Sequence, residues 1–181
     1  LNILSVAIGC EATFVARTVD VNTKHLGMCL ERAAEHRGTA FIEVYQNCVV
    51  FNGGAFDYAT DRNIRSDALL ELEHGKPLLF GKDRDKGIRL NGLDPEVVTL
   101  GDEVSQADLL VHDEAAKEPS LAYFLTRMHY PAFPEPIGVF RCVDRPKYDE
   151  MLNEQVSQAV EKEGHGKLES LITSGDTWTV Q

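Results

Sequence analysis

Two runs of β-branched and aromatic residues, at positions 13–18 (TFVART) and 40–46 (AFIEVYQ), bracket a stretch of helical periodicity. No other feature constrains the fold as much. Side chains of this kind suit a pleated, buried strand. Between the runs, Leu26, Cys29, Leu30 and Ala33 recur at the spacing of one helix face. Asn22 or Thr23 stands where an N-cap is needed, and Gly38 where a helix end calls for positive φ. Strand, helix and strand with short links predict a parallel pair with a right-handed crossover, hence an α/β fold. In such sheets the functional loops lie at the C-terminal ends of strands. Residues 47–54 (NCVVFNGG) take that position after the second strand, and their Asn and Gly residues permit tight backbone geometry.

Beyond residue 54 the periodicity weakens. Residues 67–73 read as a short helix, and 77–81, 87–90, 97–100 and 109–112 as short strands separated by charged turns. The segment 55–111 is therefore expected to be an irregular extension. Pro119 suits the first turn of a helix running to about Met128, with Leu121, Phe124, Leu125 and Met128 on its apolar face. Pro131, Pro134 and Pro136 impose an extended stretch. Residues 146–163 form an amphipathic helix ended by Gly164; 168–172 add a turn, and 177–180 an extended tail.

Composition narrows the chemistry. The net charge of -11 opposes binding to nucleic acid, and no apolar run is long enough to span a bilayer. With no secretory signal in view, a cytoplasmic location is expected. The chain opens on Leu1 rather than Met, so residues upstream are expected. Cys10, Cys29, Cys48 and Cys142 include no C-x-x-C pair, and a disulfide framework is a poor reading. Cys10, Cys29 and Cys142 read as packing residues. Cys48, in the Gly/Asn-rich loop after a buried strand, is open to two readings: a small buried hydrophobe, or a reactive or ligating thiol. His112–Asp113–Glu114 invites a metal reading, but the spacing is not that of a helical ligand pair and a solvated loop is preferred. Gly53–Gly54 lacks the Lys–Ser/Thr of a phosphate loop.

Three stretches taken together carry a resemblance. They are Gly9–Cys10–Glu11–Ala12–Thr13–Phe14–Val15–Ala16–Arg17, then Phe41–Ile42–Glu43–Val44–Tyr45–Gln46–Asn47–Cys48, and then Phe133–Pro134–Glu135–Pro136–Ile137–Gly138–Val139–Phe140–Arg141. With the ending Ser174–Gly175–Asp176–Thr177–Trp178, the chain resembles the β subunits of two-subunit 2-oxoacid:ferredoxin oxidoreductases, particularly the 2-oxoglutarate type. The resemblance implies the C-terminal part of a thiamine-diphosphate-binding parallel-sheet fold (residues 1–54), followed by the irregular C-terminal extension of the subunit (55–181). It implies thiamine diphosphate, magnesium and a [4Fe–4S] cluster in the complete subunit. It also implies an α subunit and ferredoxin as partners, and coenzyme A with a 2-oxoacid as substrates.

The G-D-G motif and the N-terminal C-x-x-C of that family do not occur here, so the cofactor sites within this chain are incomplete. Only Cys48 matches a metal ligand, the fourth thiolate of the cluster. No catalytic residue is assigned within 1–181. Arg17, Arg141 and Arg145 have the charge to hold a second substrate carboxylate, although structural ion pairs are the commoner use of such residues. The alternatives are a truncated, non-catalytic subunit-interaction module, pyruvate as the substrate, or a different α/β enzyme sharing only the strand–helix–strand unit.

Overall fold

The computed structural model describes residues 1–180. In chain order its elements are α1 (Ile3–Gly9), β1 (Phe14–Val19), α2 (Thr23–Glu35), β2 (Ala40–Tyr45), α3 (Asp57–Thr60), α4 (Arg65–Ala68), β3 (Leu69–Leu72), β4 (Leu79–Phe80), β5 (Lys86–Asn91) and β6 (Asp94–Thr99). They continue with α5 (Ser120–Thr126), β7 (Glu135–Cys142), α6 (Tyr148–Glu163) and α7 (Leu168–Ile172). Residues Leu1–Asp144 form one compact unit and Arg145–Gln181 a second.

The strand–helix–strand unit stands where the sequence puts it. β1 and β2 pair in parallel from Phe14–Ala40 to Val19–Tyr45. Every residue of β1 is buried, as a central strand covered on both faces requires. Asn22 caps α2 by accepting from the His25 amide at 3.3 Å. The four-stranded sheet runs β2-β1-β7-β3. β7 pairs antiparallel with β1 and parallel with β3. A shift in register between Val15 and Ala16 leaves Phe140 as the extra residue of a bulge.

Four expectations give way. Residues 67–73 are mainly strand, because Leu70 and Leu72 alternate inward against β7. The segment 55–111 is more regular than its composition suggests: β4, β5 and β6 form a second, antiparallel sheet. Of its four expected strands, 109–112 yields only a single bridge, Pro77 to Val111. The first sheet also runs across residue 54, since β3 and β7 complete it from the far side of the sequence.

The largest core cluster joins α1, the sheet and α5 through Leu4, Ile8, Val15, Leu70, Leu125 and Phe140. α1 was not foreseen. Asn2 caps it by accepting from the Ser5 amide at 2.9 Å, and donates from Nδ2 to the Thr126 carbonyl at 2.6 Å. In the second unit, α6 ends at Gly164 with φ 80° and buries none of its side chains.

Candidate functional site

The C-terminal end of β2 opens into the Cys48 loop. Asn47 closes that loop with a single side chain. Its Oδ1 accepts from the Phe56 amide at 2.8 Å, and its Nδ2 donates to Asp57 at 3.0 Å and to Thr60 at 3.2 Å. Inside the closure the Asn52 amide donates to the Cys48 carbonyl at 2.8 Å. The turn aims backbone amides at the Cys48 sulfur: that of Phe51 first, with those of Val50 and Asn52, holds its thiol below the ordinary thiol range. Amide donors around sulfur favour the thiolate, the form that binds metal and attacks electrophiles. Val49, Val50 and Phe51 are 92%, 75% and 92% exposed, an unusual concentration of bare apolar surface beside a polar atom.

Beneath the loop lies a polar network. Arg17, on β1, is 2% exposed. Its Nε donates to Glu43 at 2.7 Å, and its Nη1 pairs with Glu135, at the start of β7. Glu135 is 1% exposed and collects further donors: Tyr45 Oη at 3.0 Å, Tyr58 Oη at 3.4 Å and the Tyr130 amide at 3.3 Å. His129 Nδ1 lies 3.1 Å from the same carboxylate, while its Nε2 faces the amide group of Asn2 at 3.2 Å. Because the amide nitrogen can only donate, this assigns the proton to Nδ1 and makes His129 another donor to Glu135. Burial, with Glu135 nearby, pushes the Tyr45 and Tyr58 phenols well above their ordinary range, so both remain protonated donors. Tyr45 stacks on Phe56 at 4.3 Å and Tyr58 on Tyr130 at 4.8 Å, and the Arg17 guanidinium lies 4.9 Å over Tyr45. A buried pair as well bonded as this holds the loop's base in one position.

The other sequence candidates separate from this site. Cys29 is buried, and Cys142 packs partly buried against Phe14, Ala16 and Val139, as expected. Cys10 is exposed at the C-cap of α1, which corrects its reading as a packing residue. All four cysteines are free thiols. His112 does not lie in a solvated loop: it is 1% exposed, and its Nε2 meets the Val139 carbonyl at 2.7 Å. Among the described residues no group of three or more His, Cys, Asp or Glu is placed to hold a metal ion. Arg17 is buried and paired with the protein's own carboxylates, and Arg141, 2% exposed, donates to the carbonyls of Ala116 and Lys117 at 3.1 and 3.3 Å. Neither is available to a substrate in this arrangement. Arg145 opens the second unit. The Glu135 network escaped the sequence reading, although an acid between Pro134 and Pro136 was a signal that a carboxylate is held rigidly there.

The Cys48 environment fits one ligand of an iron–sulfur cluster. It offers one partly exposed thiol with backbone amides beside its sulfur, the kind of hydrogen bonding that tunes such clusters. Among the described residues no group of three or more metal-ligating side chains completes a cluster site around it.

No family model matches the chain. It is 35% identical to the 2-oxoglutarate oxidoreductase subunit KorB of Mycobacterium tuberculosis over 99% of its own length and 48% of that protein. It is 38% identical, over 52 residues, to the 2-oxoacid:ferredoxin oxidoreductase subunit beta of Saccharolobus solfataricus, a match covering 29% of the chain and 17% of the relative. The chain thus spans about half the length of the first of these relatives and less of the second. Among solved structures, a chain of the 2-oxoglutarate:ferredoxin oxidoreductase from Magnetococcus marinus, with 2-oxoglutarate, coenzyme A and succinyl-CoA bound, superposes with a TM-score of 0.53. That match has 18% identity and covers 96% of this chain and 44% of the other; it establishes a shared fold.

Proposed function

We infer that this chain, related over nearly its whole length to the β subunits of 2-oxoacid:ferredoxin oxidoreductases, is the C-terminal part of such a subunit. In the complete enzyme it would serve CoA-dependent oxidative decarboxylation of 2-oxoglutarate, with electrons leaving to ferredoxin. The observation carrying this reading is the 35% identity sustained over 99% of the chain. Residues 1–54 would end the thiamine-diphosphate-binding domain, and 55–181 would form the subunit's C-terminal extension.

In the complete enzyme, thiamine diphosphate with magnesium would supply the electron sink for decarboxylation, and a [4Fe–4S] cluster the one-electron path outward. The part of this chain is positional. Cys48 would provide one thiolate of the cluster, a form favoured by the amides of Phe51, Val50 and Asn52. Asn47 and the Arg17–Glu135 network would fix where that thiolate stands. The apolar residues beside Cys48 would be covered by the rest of the subunit or by the α subunit, as large exposed apolar surfaces usually are. No helix among the described residues is long and apolar enough to cross a membrane.

The test is turnover by the complete complex, with 2-oxoglutarate, CoA and ferredoxin, against pyruvate in the same assay. Reduction of ferredoxin with 2-oxoglutarate supports the reading. Reduction with pyruvate alone would move the substrate to pyruvate. A complex that binds its α partner but holds no iron and turns over neither acid would make this an interaction module.

A further inference from the structure

Cys142 ends β7 with one side packed into the core and the other lining a cavity of ≈ 500 Å³. The proposed enzyme chemistry makes no use of it. Its Sγ lies 4.0 Å from Nδ1 of His36, the C-cap residue of α2, and its amide donates to the Glu114 carbonyl at 2.7 Å. Cys29 has a histidine at the same distance, but it is 0% exposed, and the His25 Nδ1 beside it already meets Thr18 Oγ1 at 2.7 Å. Cys142 differs in facing a space that a reagent can enter.

The hydrogen bonds around His36 decide which of its nitrogens is bare. Thr13 Oγ1 donates to the Thr39 carbonyl at 3.3 Å, and therefore accepts from His36 Nε2 at 2.8 Å. The ring proton sits on Nε2, and Nδ1 turns a lone pair toward the thiol. Gly38 makes room for this bond, since a Cβ there would collide with Thr13 Oγ1 and His36 Nε2. Burial lowers the pKa of His36, against the pull of Asp144, so at neutral pH the ring is uncharged and can take a proton. On the other flank the Arg32 guanidinium, held by Glu114 at 2.6 and 3.1 Å, reaches Cys142 and faces the charge that forms on sulfur during an attack. A neutral base on one side and a cation on the other is the setting of a nucleophilic thiol.

The remaining walls indicate what the thiol can attack. Arg37 stands there with Glu35 and Asp144, so the cavity presents charges of both signs. Such walls complement a small molecule that carries ammonium and carboxylate groups together. We propose that Cys142 is a modification site that exchanges with small zwitterionic disulfides. His36 Nδ1 takes the thiol proton as Sγ attacks one sulfur of the disulfide. The new Sγ–S bond forms as the old S–S bond breaks, and the departing thiolate leaves with the electron pair and recovers the proton from His36. Cys142 is oxidised to a mixed disulfide, and one half of the reagent is reduced to a free thiol.

Glutathione disulfide, which carries both kinds of group, is the probe. Site-resolved mass spectrometry of the 181-residue chain follows the mixed disulfide at Cys142 against that at Cys10, the exposed thiol at the end of α1. At neutral pH Cys142 should react faster than Cys10 despite its lower exposure, and dithiothreitol should restore the thiol. His36→Gln, shown to be folded by circular dichroism, should slow Cys142 by about tenfold or more at neutral pH. It should leave the rate unchanged at about pH 10, where a thiol ionises without a base. Cystamine, which has ammonium groups but no carboxylate, should favour Cys142 over Cys10 less than glutathione disulfide does. The proposal is overturned if Cys142 reacts no faster than Cys10, or if His36→Gln has no effect or slows the reaction equally at both pH values. Equal preference for Cys142 with the two disulfides would overturn the zwitterionic class. Neither turnover nor bound iron enters these readings, so failure here leaves the proposed enzyme activity standing, and failure of that activity leaves this site standing.

Discussion

Cys48 and Arg17 are surrounded by opposite kinds of partner. The Cys48 thiolate is favoured by amides of its own loop, led by that of Phe51, and needs no cation. Iodoacetamide should therefore label Cys48 faster than the exposed Cys10 in the cluster-free chain, with a rate midpoint below the roughly 8.5 of a free thiol. Site-resolved mass spectrometry across a pH series reads both; equal rates at the two cysteines would remove the amide argument. In the complete subunit Cys48→Ser should lower bound iron, whereas Cys10→Ser should not. Arg17 is instead a buried cation whose charge is met by Glu43 and Glu135. Arg17→Met would leave Glu135 buried without its cation. The expected loss is about 3–5 kcal/mol of folding stability, measured by urea unfolding, because an uncompensated buried charge costs far more than the pair was worth. A loss below about 1 kcal/mol would show that the tyrosine and histidine donors alone suffice.

The strands were legible where a local pattern carried them and illegible where a distant partner did. TFVART and AFIEVYQ name β1 and β2 by composition, since both faces or the edge position demand such residues. The capping Asn22 and the face through Cys29 name α2. Residues 69–72 do not declare themselves: a short leucine-rich run fits either period, and only pairing with β7, more than sixty residues away in sequence, makes it a strand. The candidate site divides in the same way. Cys48 is visible from its place after β2, whereas the carboxylate beneath it comes from β7, in contact only once the sheet has formed. Gly138 shows how closely that contact is built. It has φ 118° in mid-strand, and a Cβ there would lie 2.9 Å from the Leu72 carbonyl oxygen. Backbone cannot yield as a flexible side chain can. Gly138→Ala should therefore cost about 1–3 kcal/mol, and should speed amide exchange in β3 before it does in β2. Exchange that rises equally across the sheet would mean that the strain is not local to the β3–β7 pair.

At the scale of the whole molecule, acid should act in two steps, because the histidines and the carboxylates are perturbed in separate pH ranges. Burial lowers the pKa of His112, against the opposing pull of its Val139 carbonyl partner, Glu114 and Asp113. Burial lowers His25 and His36 as well. A histidine whose pKa is lower in the folded state binds its proton more readily once unfolded. Its stabilising contribution is therefore complete above the unfolded value near 6.5 and is lost as pH falls through the folded value. His112 has a structural reason for the effect: its Nδ1 is buried with no partner, so a proton added there would meet no acceptor. Asp67 and Asp108 are lowered too, by their hydrogen bonds to Lys86 and Ser105 respectively, but their contribution is present above about 4 and fades only below it. Unfolding free energy should thus fall first as pH drops below about 6.5, by up to about 1.4 kcal/mol per pH unit for the His112 proton. It should fall again below about pH 4 as the carboxylates protonate. Urea titrations at fixed ionic strength from pH 8 to 3 measure this directly. His112→Gln keeps a neutral donor for Val139 and should flatten the first step while leaving the second. If the variant kept the full first slope, the step would have to come from His25 and His36, and the buried Nδ1 of His112 would carry no part of it.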